Sequence, residues 1–110
     1  MTDLLQQHCL SPKEGLTALD KEGIERYLLE VEGWQLEADG KTIRREFHFK
    51  DFYQTIAFVN ALAWIANNED HHPDLEVGYN RCTVHYTTHA VDGLSLNDFI
   101  CAARIDNLNR

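Results

Sequence analysis

Residues 34–66, WQLEADGKTIRREFHFKDFYQTIAFVNALAWIA, decide the fold because the spacing of their apolar residues changes once, at Asp51. Before Asp51, apolar and polar residues alternate as in strands, and Asp39 with Gly40 favours a tight hairpin turn between two strands. After Asp51, apolar residues recur at three- and four-residue steps, which is the period of an amphipathic helix. A strand hairpin that runs directly into a helix is typical of an α+β fold.

The hairpin and the helix have predicted bounds and faces. The strands cover residues 34–38 and 42–49, and the second strand has one apolar side and one polar side. The helix ends at the sequence His-His-Pro of residues 71–73, because a residue before proline is disfavoured in a helix. Its predicted apolar stripe consists of Phe52, Ile56, Val59, Leu62 or Ala63, and Ala66.

Further elements are predicted on both sides of this segment. Asp20 is a predicted N-cap for a first helix, which Gly33 ends. Residues 75–79 and 82–88 form a second hairpin. Ser95 and Asp98 resemble a capping box at the start of a third helix, with Asp in place of the usual Glu. The order is therefore helix, two strands, helix, two strands, helix.

This order predicts a single domain over residues 1–110. We expect a two-layer α+β sandwich, in which helices cover one face of a four-stranded antiparallel sheet. Residues 1–11 are expected to form a loosely held arm. Because an open sheet leaves two edge strands unpaired, a second copy can extend it, and we expect a homodimer or homotetramer.

The composition limits the classes of function. The 110 residues include 10 Lys and Arg against 18 Asp and Glu, a net charge of −8, which repels nucleic acid and anionic membranes. No stretch reaches the roughly 20 apolar residues that span a bilayer, and the first residues lack the features of a signal peptide, so we expect a cytoplasmic protein. The 3 cysteines are widely spaced, and we expect reduced, packed thiols.

Histidines provide the candidate chemistry. His71 and His72 precede the third predicted strand, and His89 follows the fourth. If these strands pair as a hairpin, the start of one lies beside the end of the other, and the three imidazoles share one rim. Polar residues expected around that rim are Asp70, Asp74, Thr87, Thr88 and Asp98.

The residues alone leave three uses of this histidine cluster open. Three histidines and a water are a known zinc set, although adjacent histidines rarely aim both rings at one ion. Imidazole can also give and take a proton at neutral pH, which suits general acid and base catalysis without a metal. The cluster can equally be a solvated corner that ends a helix. Nearby, Trp34 begins a strand and could present its indole at the end of the sheet, although a tryptophan is more often a core residue.

Residues 69–99, EDHHPDLEVGYNRCTVHYTTHAVDGLSLNDF, resemble the signature of the pterin-4a-carbinolamine dehydratases. In that family His-His-Pro is followed after five residues by an aromatic, which here is Tyr79. Nine residues separate Tyr79 from His89, and eight separate His89 from Asp98, as the family pattern requires. The resemblance extends over residues 15–106. Asn67 departs from it, because the family often has an acidic residue at that position.

The resemblance implies a dehydratase that removes water from 4a-hydroxytetrahydropterin to give quinonoid dihydropterin, in the recycling of tetrahydrobiopterin. It implies His71, His72 and His89 as the catalytic groups, with Asp98 orienting one imidazole. The residues expected to border the pterin are Asp70, Thr87 and Thr88, with Trp34 as a further ligand contact. This reaction needs no metal and no redox cofactor, and an aromatic amino acid hydroxylase would supply its substrate.

A different class of function is the alternative. Animal relatives that resemble this chain also act as dimerisation cofactors for a homeodomain transcription factor, through a helix surface that binds a partner helix. The wide apolar surface of residues 52–66 is compatible with such a role or with self-association. A protein that acts only in this way has no physical use for three clustered imidazoles, so the histidines favour catalysis.

Overall fold

The computed structural model describes residues 3–108. It contains three α-helices and four strands in the predicted order. The helices are α1, Lys21–Leu28, α2, Phe52–Glu69, and α3, Leu96–Leu108. The strands are β1, Gln35–Leu36, β2, Ile43–His48, β3, Asp74–Val77, and β4, Arg81–Tyr86. No helix in residues 3–108 is long and apolar enough to cross a membrane.

The four strands form one antiparallel sheet in the order β1-β2-β4-β3. Each hairpin contributes one inner and one outer strand, and the two inner strands join the hairpins through pairs such as Phe47 with Cys82. One face of the sheet is buried, since Ile43 and Phe47 of β2 and Val84 of β4 have almost no exposed surface. Helix α2 packs against both β4 and α3. The predicted α+β fold with four antiparallel strands is confirmed.

The buried face of α2 differs from the predicted stripe. Its buried residues are Thr55, Phe58, Leu62, Ile65 and Ala66. Of the predicted stripe, Leu62 and Ala66 are buried, and Ile56 and Val59 are partly buried. Phe52 is the exception, because it is 52% exposed. The helix packs on both β4 and α3, so its contact surface is wider than one stripe and is displaced toward Thr55, Phe58 and Ile65.

The turn of the first hairpin is longer than predicted. The Glu37 N–H donates to the Thr42 carbonyl at 2.8 Å, and this pair closes the turn. Residues 38–41 therefore form the loop. The Asp39 carboxylate explains this, because it accepts hydrogen bonds from Lys41 N–H at 2.8 Å and from the Thr42 hydroxyl at 3.1 Å. These contacts stabilise an open loop in place of a two-residue turn.

The N-terminal arm is docked on the helices, and the expectation of a loosely held arm is wrong for residues 3–11. Leu4 is 4% exposed within the core. Leu10 and Asn97 of α3 exchange two hydrogen bonds, one from the Leu10 N–H to the amide oxygen and one from the amide nitrogen to the Leu10 carbonyl. Residues 1 and 2 of the predicted arm lie outside the described residues.

The open face of the sheet holds an ionic cluster around His85. The two ring nitrogens of His85 bond different carboxylates, Nδ1 with Glu37 and Nε2 with Glu76. Partial burial lowers the pKa of His85, but the bonds to the two carboxylates and their charges outweigh it, and the net shift is upward. A protonated His85 therefore connects the segment after β1 to strand β3, on the opposite face from the core.

We expect the free energy of unfolding to fall as pH rises above about 6.5, the ordinary pKa of histidine in an unfolded chain. The sign follows because the folded pKa of His85 is raised, so its stabilisation is complete below the unfolded pKa and is lost as pH passes the folded one. The loss cannot exceed about 1.4 kcal/mol per pH unit for one proton. Urea unfolding from pH 5.5 to 9 should show a smaller pH dependence for His85→Gln than for the wild type. If the free energy of unfolding changes equally with pH in His85→Gln and the wild type, the cluster around His85 does not contribute to this pH dependence. His48→Gln, at an exposed histidine, is the matched control.

Candidate active site

The candidate site is built around Asp98, whose side chain is completely buried in the first turn of α3. One carboxylate oxygen, Oδ2, accepts hydrogen bonds from the Ser95 N–H at 2.9 Å and from the Thr88 hydroxyl at 2.8 Å. The other oxygen, Oδ1, lies 2.6 Å from Nε2 of His71. Asp98 therefore connects the segment before β3 to the segment after β4.

Helix capping explains how Asp98 reaches this position. Its carboxylate accepts the Ser95 N–H in the manner of a capping box, and Ser95 Oγ accepts the Asn97 N–H at 3.2 Å. The positive end of the helix dipole favours a negative charge in this turn. Ser95 and Thr88 also share a hydrogen bond between their hydroxyls at 2.8 Å, and both are buried. The predicted capping pair is confirmed, and it leaves Oδ1 directed at an imidazole.

His71 is fixed on several sides. Asp70 caps α2 with a φ of 51°, which turns the chain, and the His71 N–H then donates to the Ala66 carbonyl at 3.1 Å. The Tyr86 hydroxyl donates to the His71 carbonyl at 3.1 Å, and the two rings stack with centroids 5.0 Å apart. With 11% of its side chain exposed, His71 has one nitrogen held by Asp98 and a fixed ring plane.

Electrostatics favour the charged form of His71. Burial lowers the pKa of the imidazole, but the hydrogen bond to Asp98 and the charge of that carboxylate raise it by more, and the net shift is upward. His71 and Asp98 form a close pair in a place that water reaches only slightly. This arrangement favours a proton on His71.

His72 and His89 directly follow His71 and Thr88, two residues that bond Asp98. His72 is exposed and follows His71, and His89 is exposed and follows Thr88 in a short 3₁₀ turn, His89–Val91. Because Asp98 bonds both His71 and Thr88, it brings the two histidine-bearing segments together. The antiparallel register, in which Asp74 pairs with His85, also places the start of β3 beside the end of β4, as predicted from the hairpin.

The residues expected to border a ligand differ in their exposure and in their hydrogen bonds. Asp70 is exposed at the end of α2. The Thr87 hydroxyl donates to the Lys41 carbonyl, and the Thr88 hydroxyl donates to Asp98, so both hydroxyl protons are used within the protein. Thr88 therefore serves to hold the Asp98 carboxylate in place.

The expectation that Trp34 presents its indole to a ligand is wrong. Trp34 is 5% exposed, its ring meets Phe47 edge to face, and its N–H donates to Asp106 at 2.9 Å. Asp106 lies eight residues after Asp98 on α3, or about 12 Å along the helix axis. The indole is a core group at the far end of α3.

Sequence reasoning missed two residues that shape the site. No role is predicted for Tyr86 from the sequence, and only a helix cap is predicted for Ser95, although the Ser95 hydroxyl also bonds Thr88. Tyr86 could be found from the hairpin register, which places a buried strand residue with a hydroxyl beside the end of α2. Among residues 3–108, no group of three or more His, Cys, Asp or Glu side chains is arranged to hold a metal ion.

Comparison with known proteins identifies relatives over nearly the whole chain. A family model described as pterin 4 alpha carbinolamine dehydratase matches residues 17–108. A protein of Nitrosospira multiformis is 55% identical over 106 residues, covering 96% of this chain and 92% of its own length. One from Legionella pneumophila is 55% identical over 108 residues, covering 97% and 96%. Both are named provisionally as pterin-4-alpha-carbinolamine dehydratases.

Solved structures have the same fold. A transcriptional coactivator/pterin dehydratase from Brucella melitensis superimposes with a TM-score of 0.81 and 30% identity, covering 84% of this chain and 98% of that one. A pterin dehydratase-like protein described as a RuBisCO assembly factor in the alpha-carboxysome gives a TM-score of 0.61 at 23% identity, covering 69% and 88%. The second likeness concerns the fold alone.

Proposed function

The chain belongs to the pterin 4 alpha carbinolamine dehydratase family, and we propose that it removes water from a 4a-hydroxytetrahydropterin by histidine acid and base catalysis. The observation that carries this proposal is the buried His71–Asp98 pair, with its 2.6 Å bond, between two exposed histidines. The pair holds a proton inside the site, and His72 and His89 can reach a bound molecule from the surface.

The chemistry requires two proton transfers. A proton must be added to the hydroxyl at carbon 4a so that it leaves as water, and a proton must be lost from a ring nitrogen as the new double bond forms. Imidazole suits both transfers, because its ordinary pKa lies close to neutral pH. The quinonoid dihydropterin is the product, and the protons that enter and leave are equal in number.

We assign His72 and His89 to the proton transfers and the His71–Asp98 pair to charge and orientation. The bond from Nε2 to Asp98 directs the other nitrogen of His71, Nδ1, away from the carboxylate. The positive charge favoured on His71 would stabilise electron density on a departing hydroxyl. Asp70 is exposed beside this pair and is the remaining candidate for a hydrogen bond to the pterin.

From the family we further propose a role in tetrahydrobiopterin recycling and a substrate supplied by an aromatic amino acid hydroxylase. From the open sheet edges we propose a homodimer or homotetramer, and from the sequence composition a cytoplasmic location. Within residues 3–108, the edge strands β1 and β3 each pair with a strand on one side only, which supports self-association.

Product formation tests the proposal. Freshly generated 4a-hydroxytetrahydropterin is mixed with wild-type protein, and the absorbance of the quinonoid dihydropterin is followed against a blank without protein. We expect faster formation with protein, in proportion to its concentration. His48→Ala is a matched control, because His48 is an exposed histidine that pairs with Glu46 on the opposite face of the sheet. A rate equal to the blank for the wild type would reject the dehydratase assignment.

An interaction role is the second candidate, and one surface favours it. Along α2, Tyr53 is 83% exposed and Trp64 is 71% exposed, and no charged residue lies between them in the sequence. Such an uncharged aromatic face suits binding to another helix. If product formation equals the blank while the chain binds a partner helix through Trp64, the interaction role takes its place.

A further inference from the structure

Two cysteines that are 92 positions apart in the sequence meet in the fold. The sulfur of Cys9 in the N-terminal arm lies 3.6 Å from the sulfur of Cys101 in α3. A disulfide has an S–S distance of about 2.05 Å, so the sulfurs need to approach by less than about 2 Å, within the reach of side-chain rotation. Neither residue has a role in the proposed reaction.

Hydrogen bonds on both sides of Cys9 hold its backbone over α3. The Cys9 N–H donates to Glu69 at 2.7 Å, and the neighbouring Leu10 N–H donates to Asn97 at 2.9 Å. Two residues earlier, the Gln7 carbonyl accepts from the Arg104 guanidinium at 2.6 Å. The arm is thus fixed before any covalent bond forms, which gives the two thiols a high effective concentration.

We propose that Cys9 and Cys101 are an oxidative modification site, which a small-molecule disulfide converts to a reversible internal disulfide. The Cys9 thiolate attacks the external disulfide, forming a mixed disulfide and releasing one thiol. The Cys101 thiolate then attacks the Cys9 sulfur, forming the internal bond and releasing a second thiol. Two cysteine thiols are oxidised, the external disulfide is reduced to two thiols, and the two cysteine protons go to those thiols.

Burial sets the order of the two steps. Cys9 is half-buried and Cys101 is completely buried, so an external reagent reaches Cys9 first. The hydrogen bond from Cys9 and the nearby His71 lower the pKa of Cys101 in spite of burial, which favours the thiolate that the second step needs. The bond with Cys101 and burial raise the pKa of Cys9, so the first step should accelerate as pH rises.

The internal disulfide would fix the arm to the helix that carries Asp98. Cys101 lies three residues after Asp98, on the same side of α3. The bond would close a loop that contains nearly the whole chain, and loops of that size give the greatest restriction of the unfolded state. Oxidation would therefore stabilise the fold, because the cross-linked unfolded chain has less conformational freedom. It would also keep the arm attached to α3.

Thiol counting and intact mass test the site. Wild-type protein is incubated with oxidised glutathione, and free thiols are measured after denaturation. We expect two of the 3 thiols to be lost, with a mass lower by two hydrogen atoms and full recovery on reduction. Cys82→Ser is the matched control, because Cys82 is buried in β4 apart from this pair, and it should lose both remaining thiols in the same way.

The single variants separate the site from other oxidation chemistry. Cys9→Ser and Cys101→Ser should form no internal disulfide, and only wild type and Cys82→Ser should gain at least about 5 °C in Tm on oxidation. A stable glutathione adduct on wild type, a disulfide between two copies, or retention of all 3 thiols would overturn the proposal.

Discussion

Replacing His72 or His89 by alanine is expected to lower the rate of dehydration by a factor of about 10² to 10⁴, the range expected for one lost acid or base. Both side chains are exposed, so the substitutions should leave the fold intact and change the free energy of unfolding by less than about 0.5 kcal/mol. The measurement is the catalysed rate at saturating substrate, paired with urea unfolding of the same preparations. A large loss of rate in a stable protein identifies a chemical role.

Two results would contradict this expectation. Wild-type turnover in both alanine variants would exclude His72 and His89 as proton-transfer groups. A loss of rate accompanied by equal destabilisation would show a structural role. His48→Ala provides the comparison, since it removes an exposed imidazole from the opposite face and should retain full activity.

Replacing Asp98 by alanine is expected to lower both activity and stability. The carboxylate is completely buried and accepts bonds from His71, Thr88 and Ser95, so its removal leaves three donors without their acceptor. Breaking such a buried pair costs about 3–5 kcal/mol. The rate of dehydration should fall at least about 10²-fold, because His71 loses the bond that fixes its orientation and favours its charge.

Asp98→Asn removes the negative charge of the carboxylate but keeps its packing. The amide retains the shape of the carboxylate, so we expect a smaller loss of stability than with alanine but a similar loss of rate. The NMR titration of the His71 ring should show a lower pKa in this variant, because the charge and hydrogen bond that raise it are weakened. Asp92→Asn, at an aspartate whose side chain is 88% exposed, is the control. An unchanged rate with an unchanged His71 titration would remove the pair from the mechanism.

The parts of this structure that could be predicted from sequence depend on local period and on register. The change of period at Asp51 marks the start of α2, and the hairpin of β3 with β4 brings residues 71 and 88 to one rim. The capping relation of Ser95 with Asp98 could also be read locally. Each of these features depends on residues close together in the chain or on one strand pairing.

The parts that could not be predicted depend on distant contacts. Docking of the arm requires Asn97 and Glu69, which lie 60 or more positions from their partners Leu10 and Cys9. Trp34 packs against Phe47 in the core, and its buried N–H is satisfied by Asp106, 72 positions away in the sequence. The rotation of the buried face of α2 reflects simultaneous packing on β4 and α3. No local pattern contains these partners.

Catalysis by exposed histidines beside the buried His71–Asp98 pair can be measured by stopped-flow absorbance of 4a-hydroxytetrahydropterin decay. Chelator-treated wild type and the double variant His72→Ala, His89→Ala are compared side by side. We predict that the chelator-treated wild type accelerates the decay of the substrate. With the double variant, the substrate should decay at the rate of the buffer blank. Decay at the blank rate with wild type, or equal acceleration by the double variant, would contradict histidine-based catalysis.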